Sequence, residues 1–187
     1  MSQDELKPFV RLDSRDVYRN KWITVTEDSV IRPDGKEGIF GVVRMRSGST
    51  VIALSASNEV YLVREYKYAI GATSLEAVSG GIDDGETPLH AAQREMEEEL
   101  GFMAEKWTDL GVLHPFTTVI DSPNYMFLAE GLGAGTRHPD EGEELAIELV
   151  PLDVAVKWVM ESTITHGATC TAILKAARVL AARSRSL

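Results

Sequence analysis

Between Gly80 and Phe102 the chain reads GGIDDGETPLHAAQREMEEELGF, and its charges conflict with simple helix stability. A helix turns about 100° per residue, so Glu95, Glu98 and Glu99 fall on one face. Like charges three or four residues apart destabilise an isolated helix by ~0.2–0.5 kcal/mol per pair. Something cationic is expected over that face. Clustered carboxylates are hard oxygen donors of the kind that hold Mg²⁺ or Mn²⁺, together with waters and the oxygens of a phosphate substrate. A Glu-rich solvated helix, with Arg94 pairing to Glu98 at i,i+4, explains the same residues without a metal.

The carboxylates need a rigid support, and the surrounding pattern supplies one. Thr87-Pro88 opens a helix with proline at its first position, and Gly101 closes it. Leu89, Ala92, Met96 and Leu100 recur at three and four residues, so one stripe packs on a sheet. β-like runs precede it at 22–25 and 29–31, then at 40–45, 50–54 and 59–66, with a shorter one ending near Val78. The turn Arg32-Pro33-Asp34-Gly35 reads as a hairpin connection. Further strands are expected at 110–113, 125–129 and 145–150, with a Gly-rich acidic loop over 131–144 and closing helices over 153–160 and 169–182. The class is α/β, with a mixed sheet and an N-terminal antiparallel β extension. Residues 1–39 are read as that extension and 40–187 as the main domain.

Composition narrows the partners. The 187 residues are 44% hydrophobic and 26% charged, values of an ordinary globular protein. Nineteen Lys and Arg stand against 29 Asp and Glu, a net charge of −10, which opposes a nucleic-acid backbone or an anionic membrane. A small anionic substrate remains compatible if metal or local cations reverse the field at one site. Cys170 is alone, so no intrachain disulfide forms and a reducing cytoplasm is the expected compartment. No signal-like or membrane-spanning stretch is read in the sequence.

Gly80, five residues, Glu86, seven residues, then Arg94-Glu95-Met96-Glu97-Glu98-Glu99-Leu100-Gly101-Phe102 matches the Nudix box without a gap. At residue frequencies of ~5–7%, seven fixed identities coincide by chance in less than roughly one window in a million. The chain therefore resembles the Nudix hydrolases, which implies an α/β/α sandwich and cleavage of nucleoside diphosphates linked to another moiety. By that resemblance Glu95, Glu98 and Glu99 bind metal, Arg94 orients a glutamate, Ser79 offers its backbone carbonyl to metal, and Glu86 holds the loop or contacts metal through water.

Residues 61–67 and 75–83 resemble the region before the box in ADP-ribose and nucleotide-sugar pyrophosphatases, although Val78-Ser79 stands where that subgroup usually has Pro-Ala, and Lys67 where it usually has Arg. The resemblance implies a homodimer and a mobile-loop glutamate as base or extra ligand, for which Glu143 is preferred and Glu141 comes second. It also makes Arg46, Lys67 and Glu76 substrate contacts, while Arg46 and Lys67 read equally as surface charges. Trp22 either stacks on a nucleobase or packs in a core or dimer. The expected reaction is Mg²⁺-dependent hydrolysis (Mn²⁺ being an alternative) of ADP-ribose or a related nucleoside diphosphate sugar. Hydrolysis of nucleoside triphosphates or dinucleoside polyphosphates, and a non-catalytic sensing domain, stay open at this point.

Overall fold

A computed structural model describes residues 8–138 and 145–185. It divides into two compact units, Met1–Arg46 with His114–Ser122, and Ser47–Leu113 with Pro123–Leu187. The expected boundary between residues 39 and 40 falls inside a strand.

The first unit is an antiparallel meander of β1 (Val10–Arg19), β2 (Ile23–Ile31) and β3 (Glu37–Met45), with the short β8 (Ile120–Asp121) parallel to β3. Two short runs were expected where β2 is continuous. Arg32–Lys36 does form the β2–β3 turn, closed by Gly35 at φ +82. β1 has no counterpart in the sequence reading, because register shifts between Arg11 and Asp13 and between Asp16 and Tyr18 throw Val10 and Leu12 out of phase with Val17.

The second unit is built on a six-stranded mixed sheet. It comprises β4 (Gly48–Leu54), β5 (Glu59–Lys67), β6 (Ala72–Gly81), β7 (Phe102–Leu113), β9 (Asn124–Ala134) and β10 (Ala146–Pro151), in the order β10-β5-β6-β4-β9-β7. Only β4 and β9 run parallel. One face packs α1 (Pro88–Leu100) through Ala92, Met96 and Leu100 onto Val51, Val78 and Phe127. The other packs α2 (Leu152–Met160) and α3 (Gly167–Ser184) through Ala155, Ala172 and Ile173 onto Ile52, Leu62 and Leu128. This is the expected α/β/α sandwich.

β7 starts eight residues before the expected strand. Its run of Glu105, Lys106, Thr108 and Asp109 hides the apolar period, and a bulge between Asp109 and Gly111 breaks the rest. β9 likewise continues to Ala134, into the stretch expected to be loop.

β4 pairs with β6 from Gly48 to Val51 but with β5 at Ala53 and Leu54, so the two middle strands diverge above Val78. The start of α3 meets that divergence. The Ala77 N–H, which has no β4 partner in the ladder, donates to Thr169 Oγ1 at 2.9 Å.

Candidate active site

α1 is fixed at both ends. Thr87 Oγ1 accepts from the His90 N–H at 3.2 Å, Pro88 takes the first turn, and Gly101 at φ +72 returns its N–H to the Glu97 carbonyl at 2.8 Å. An N-cap of this kind is typically worth ~1 kcal/mol. The helix thus holds its acidic face rigidly beside the end of β6.

Arg94 lies over that face and makes the i,i+4 pair with Glu98 that the sequence also allowed without a metal. Its Nη1 reaches Glu95 Oε1 at 2.7 Å and Glu98 Oε2 at 3.0 Å. Nε and Nη2 hold both oxygens of Glu86 at 3.1 Å, and Nη2 also donates to the Gly81 carbonyl at 2.9 Å. Glu86 in turn accepts from the Asp83 N–H at 3.0 Å, so one guanidinium ties the loop, the strand end and the helix together. Bonding to Glu86, then to Glu95 and Glu98, raises the Arg94 pKa further despite partial burial. The same bond with Arg94 holds the Glu86 carboxyl below the usual glutamate range.

Gly80 is required by contact. A Cβ there would lie 1.9 Å from Glu95 Oε1, so the carboxylate occupies the space a side chain would fill. Ser79 turns the other way. Its hydroxyl donates to the Ala77 carbonyl and accepts from Thr50, both at 2.9 Å, on the α3 face by strand alternation. Only its backbone is available to the α1 face.

Glu99, next to Glu98 on the helix, is buried at 7% exposure. Among the described residues no three acidic, His or Cys side chains form a ready metal cage. Hard divalent ions are held by one or two carboxylates plus waters and phosphate oxygens. The donor chemistry of Glu95, Glu98 and Glu99 suits such an ion.

Lys67, at the end of β5, bonds Glu65 and stands 3.8 Å from Glu76 on β6. Burial opposes its charge, but Glu65, Glu76 and Glu99 leave its pKa above the ordinary value. Glu76 also meets His166 Nδ1 at 3.3 Å. Sequence reasoning gave His166 and Thr169 no role. Neither belongs to the box; the start of α3 brings His166 to Glu76 and Thr169 to the Ala77 N–H.

Trp22 and Arg46 lie in the first unit. Trp22 is 64% exposed, with Lys21 Nζ 4.1 Å from its ring centroid, and Arg46 follows β3 with its carbonyl accepting from Ser122. Glu141 and Glu143 lie outside the described residues.

A loop–helix element that clasps three glutamates with one arginine, on a mixed sheet between helices, defines a Nudix enzyme. The chain belongs to that family: residues 44–166 match the NUDIX domain, and residues 10–43 match the nucleoside diphosphate sugar hydrolase N-terminal domain. Enzymes of the family generally need divalent metal ions. Among its relatives is the ADP-ribose pyrophosphatase of Bacillus subtilis (strain 168), 28% identical over 159 residues, or 84% of this chain and 86% of the relative. ADP compounds hydrolase NudE of Escherichia coli (strain K12) is 28% identical over 146 residues, or 78% of each chain. A crystal structure of an ADP compounds hydrolase shares the fold with a TM-score of 0.86 at 24% identity, covering 97% of this chain and 98% of that one. Among the described residues no helix is long and apolar enough to cross a membrane.

Proposed function

We propose that the protein hydrolyses the diphosphate bond of ADP-ribose or a related nucleoside diphosphate sugar, releasing a nucleoside monophosphate and a sugar phosphate, with Mg²⁺ as cofactor and Mn²⁺ able to replace it. The observation that carries this reading is the Arg94 clasp of Glu86, Glu95 and Glu98 against Gly80. The activities named for the two relatives point to the same substrate class.

Glu95, Glu98 and Glu99 would hold the metal, with the Ser79 carbonyl as a further donor. When bound, such an ion neutralises phosphate oxygens and lowers the pKa of an attacking water. Arg94 holds Glu95 and Glu98 in orientation. Glu143 takes the proton from the attacking water, or serves as an additional ligand. Lys67 brings positive charge to the phosphates and Glu76 contacts the substrate.

The protein acts as a homodimer. β1 to β3 leave Leu12, Val17, Tyr18, Trp22 and Ile39 each more than half exposed, an apolar surface that a second copy would cover. A cytoplasmic location suits its single cysteine.

The test is a panel of nucleoside diphosphate sugars, nucleoside triphosphates and dinucleoside polyphosphates with Mg²⁺, read by phosphatase-coupled phosphate release. ADP-ribose or another diphosphate sugar should give the highest kcat/KM. Faster turnover of a triphosphate or dinucleoside polyphosphate would overturn the assignment.

A further inference from the structure

β6 carries a second polar group on the face that meets α1. Glu76 lies four residues before Gly80, and Val78 between them packs on Ala92 and Met96. By strand alternation Glu76 shares their face, and at ~3.3 Å per residue it stands about 13 Å along the strand from Gly80. That separation suits contact with the part of a diphosphate ester beyond the phosphates.

The Glu76 side chain is 11% exposed, and a buried carboxylate needs partners. Lys67 Nζ lies at 3.8 Å and His166 Nδ1 at 3.3 Å. His166 Nδ1 is also 2.9 Å from Thr169 Oγ1, which accepts from the Ala77 N–H. A lone pair on Nδ1 aimed at the Glu76 carboxylate 3.3 Å away would be repelled, which places the proton of a neutral ring on Nδ1 and makes Thr169 Oγ1 its acceptor. Nε2 then keeps its lone pair. Burial, with Lys67 adding to it, holds His166 below the ordinary histidine pKa although Glu76 pulls it upward. The ring is therefore neutral near pH 7. A third of the side chain remains open to solvent.

Thus a neutral imidazole is fixed on three sides, by β6, by the end of β5 and by the start of α3. None of the chemistry at Arg94 uses it. We propose that His166 is a specificity-determining residue whose Nε2 accepts a hydrogen bond from a hydroxyl of the group esterified beyond the diphosphate, while Glu76 and Thr169 set its tautomer and orientation. This rests on the diphosphate-ester reading above. It favours hydroxyl-rich leaving groups, such as a sugar phosphate, over plain alkyl phosphates.

The test compares the full-length wild type with H166N and H166Q on two substrates, ADP-ribose and the propyl ester of ADP, with Mg²⁺. Asparagine keeps a donor near the Nδ1 position and lacks Nε2, whereas glutamine reaches farther with its amide oxygen. One hydrogen bond is worth about tenfold. H166N should therefore lower kcat/KM for ADP-ribose about tenfold more than for the propyl ester, mostly through KM, and H166Q should recover part of the difference. In the wild type, KM for ADP-ribose should rise as the ring protonates at acid pH, a dependence absent from H166N. Equal losses on the two substrates, an unchanged ratio, or unfolding of both variants would overturn the inference. A wild type that cleaves both esters with an unchanged ratio in H166N removes the His166 assignment alone. A wild type inactive on both removes the proposed function and this inference with it.

Discussion

Replacing Gly80 with alanine tests whether the site depends on the close approach of Glu95 to the strand. The new Cβ would sit 1.9 Å from Glu95 Cδ and Oε1 and 2.3 Å from Oε2, whereas ordinary contact begins near 3.4 Å, so the carboxylate must retreat by about 1.5 Å. That movement breaks the 2.7 Å bond from Arg94. A charge-assisted bond at a half-buried site contributes ~1–2 kcal/mol after solvent screening. For a chain of this length the Tm should fall by about 2–8 °C. The catalytic effect should be larger, because a displacement of ~1 Å at a reacting centre costs about 10²-fold. G80A should therefore lose at least that much kcat at saturating Mg²⁺, while G133A, whose added Cβ meets nothing within 4 Å, should not. Scanning calorimetry and steady-state kinetics on the best substrate provide the two readings. The double variant G80A/E95D, with a carboxylate one methylene shorter, should regain part of the rate. G80A with wild-type kcat and metal affinity would refute the idea that Glu95 must lie against Gly80 for chemistry to occur.

Glu98→Gln should lose nearly all turnover while keeping the fold, and wild-type kcat at saturating Mg²⁺ would remove Glu98 from the metal site. Glu143→Gln should lower kcat by about 10²–10⁴-fold if the residue is the base. Added Mg²⁺ should restore part of that rate only if Glu143 is instead a ligand, and if Gln at 141, 143 and 144 each leave kcat intact, the base belongs to the box. Glu86 has a folded-state pKa depressed chiefly by its bond to Arg94, so its contribution to stability is present above its ordinary value of 4.5 and is lost as pH falls through the lower folded value. E86Q should flatten that acid-side loss in a pH series of unfolding curves, and an unchanged slope would contradict the Arg94 linkage. Sedimentation at micromolar concentration should give a dimer, whereas a fully active monomer would exclude one.

The box was legible because its spacing encodes a local object. A cap, a helix and a closing glycine lie within 23 residues, so Thr87, Pro88, Met96 and Gly101 could be read without knowing what packs around them. The Arg94–Glu98 pair was readable for the same reason, since the two residues are one helical turn apart. What sequence could not show is non-local or out of phase. β1 and β7 carry bulges that interrupt the alternation by which strands are recognised. His166, brought by the start of α3, meets Glu76 across 90 residues, a contact that no local pattern announces. The inward turn of the Ser79 hydroxyl follows from its place on the ladder beside Thr50.

The arrangement of Arg94 also explains how an acidic helix face is kept ready for a cation. Left alone, Glu95 and Glu98 would repel each other and splay toward solvent, at a cost in order as well as energy. A lysine could neutralise one carboxylate as a point charge, but the planar guanidinium has five N–H donors in a fixed fork. Here all three of its nitrogens are used, on Glu86, Glu95, Glu98 and the Gly81 carbonyl. Because these bonds push its already high pKa upward, Arg94 stays charged wherever the protein is folded. Each of Glu95 and Glu98 gives an oxygen to that fork. On the proposed reading Arg94 fixes the position of these carboxylates and a divalent ion would use their charge. This makes the arginine a part of the scaffold of the site rather than a competitor for it.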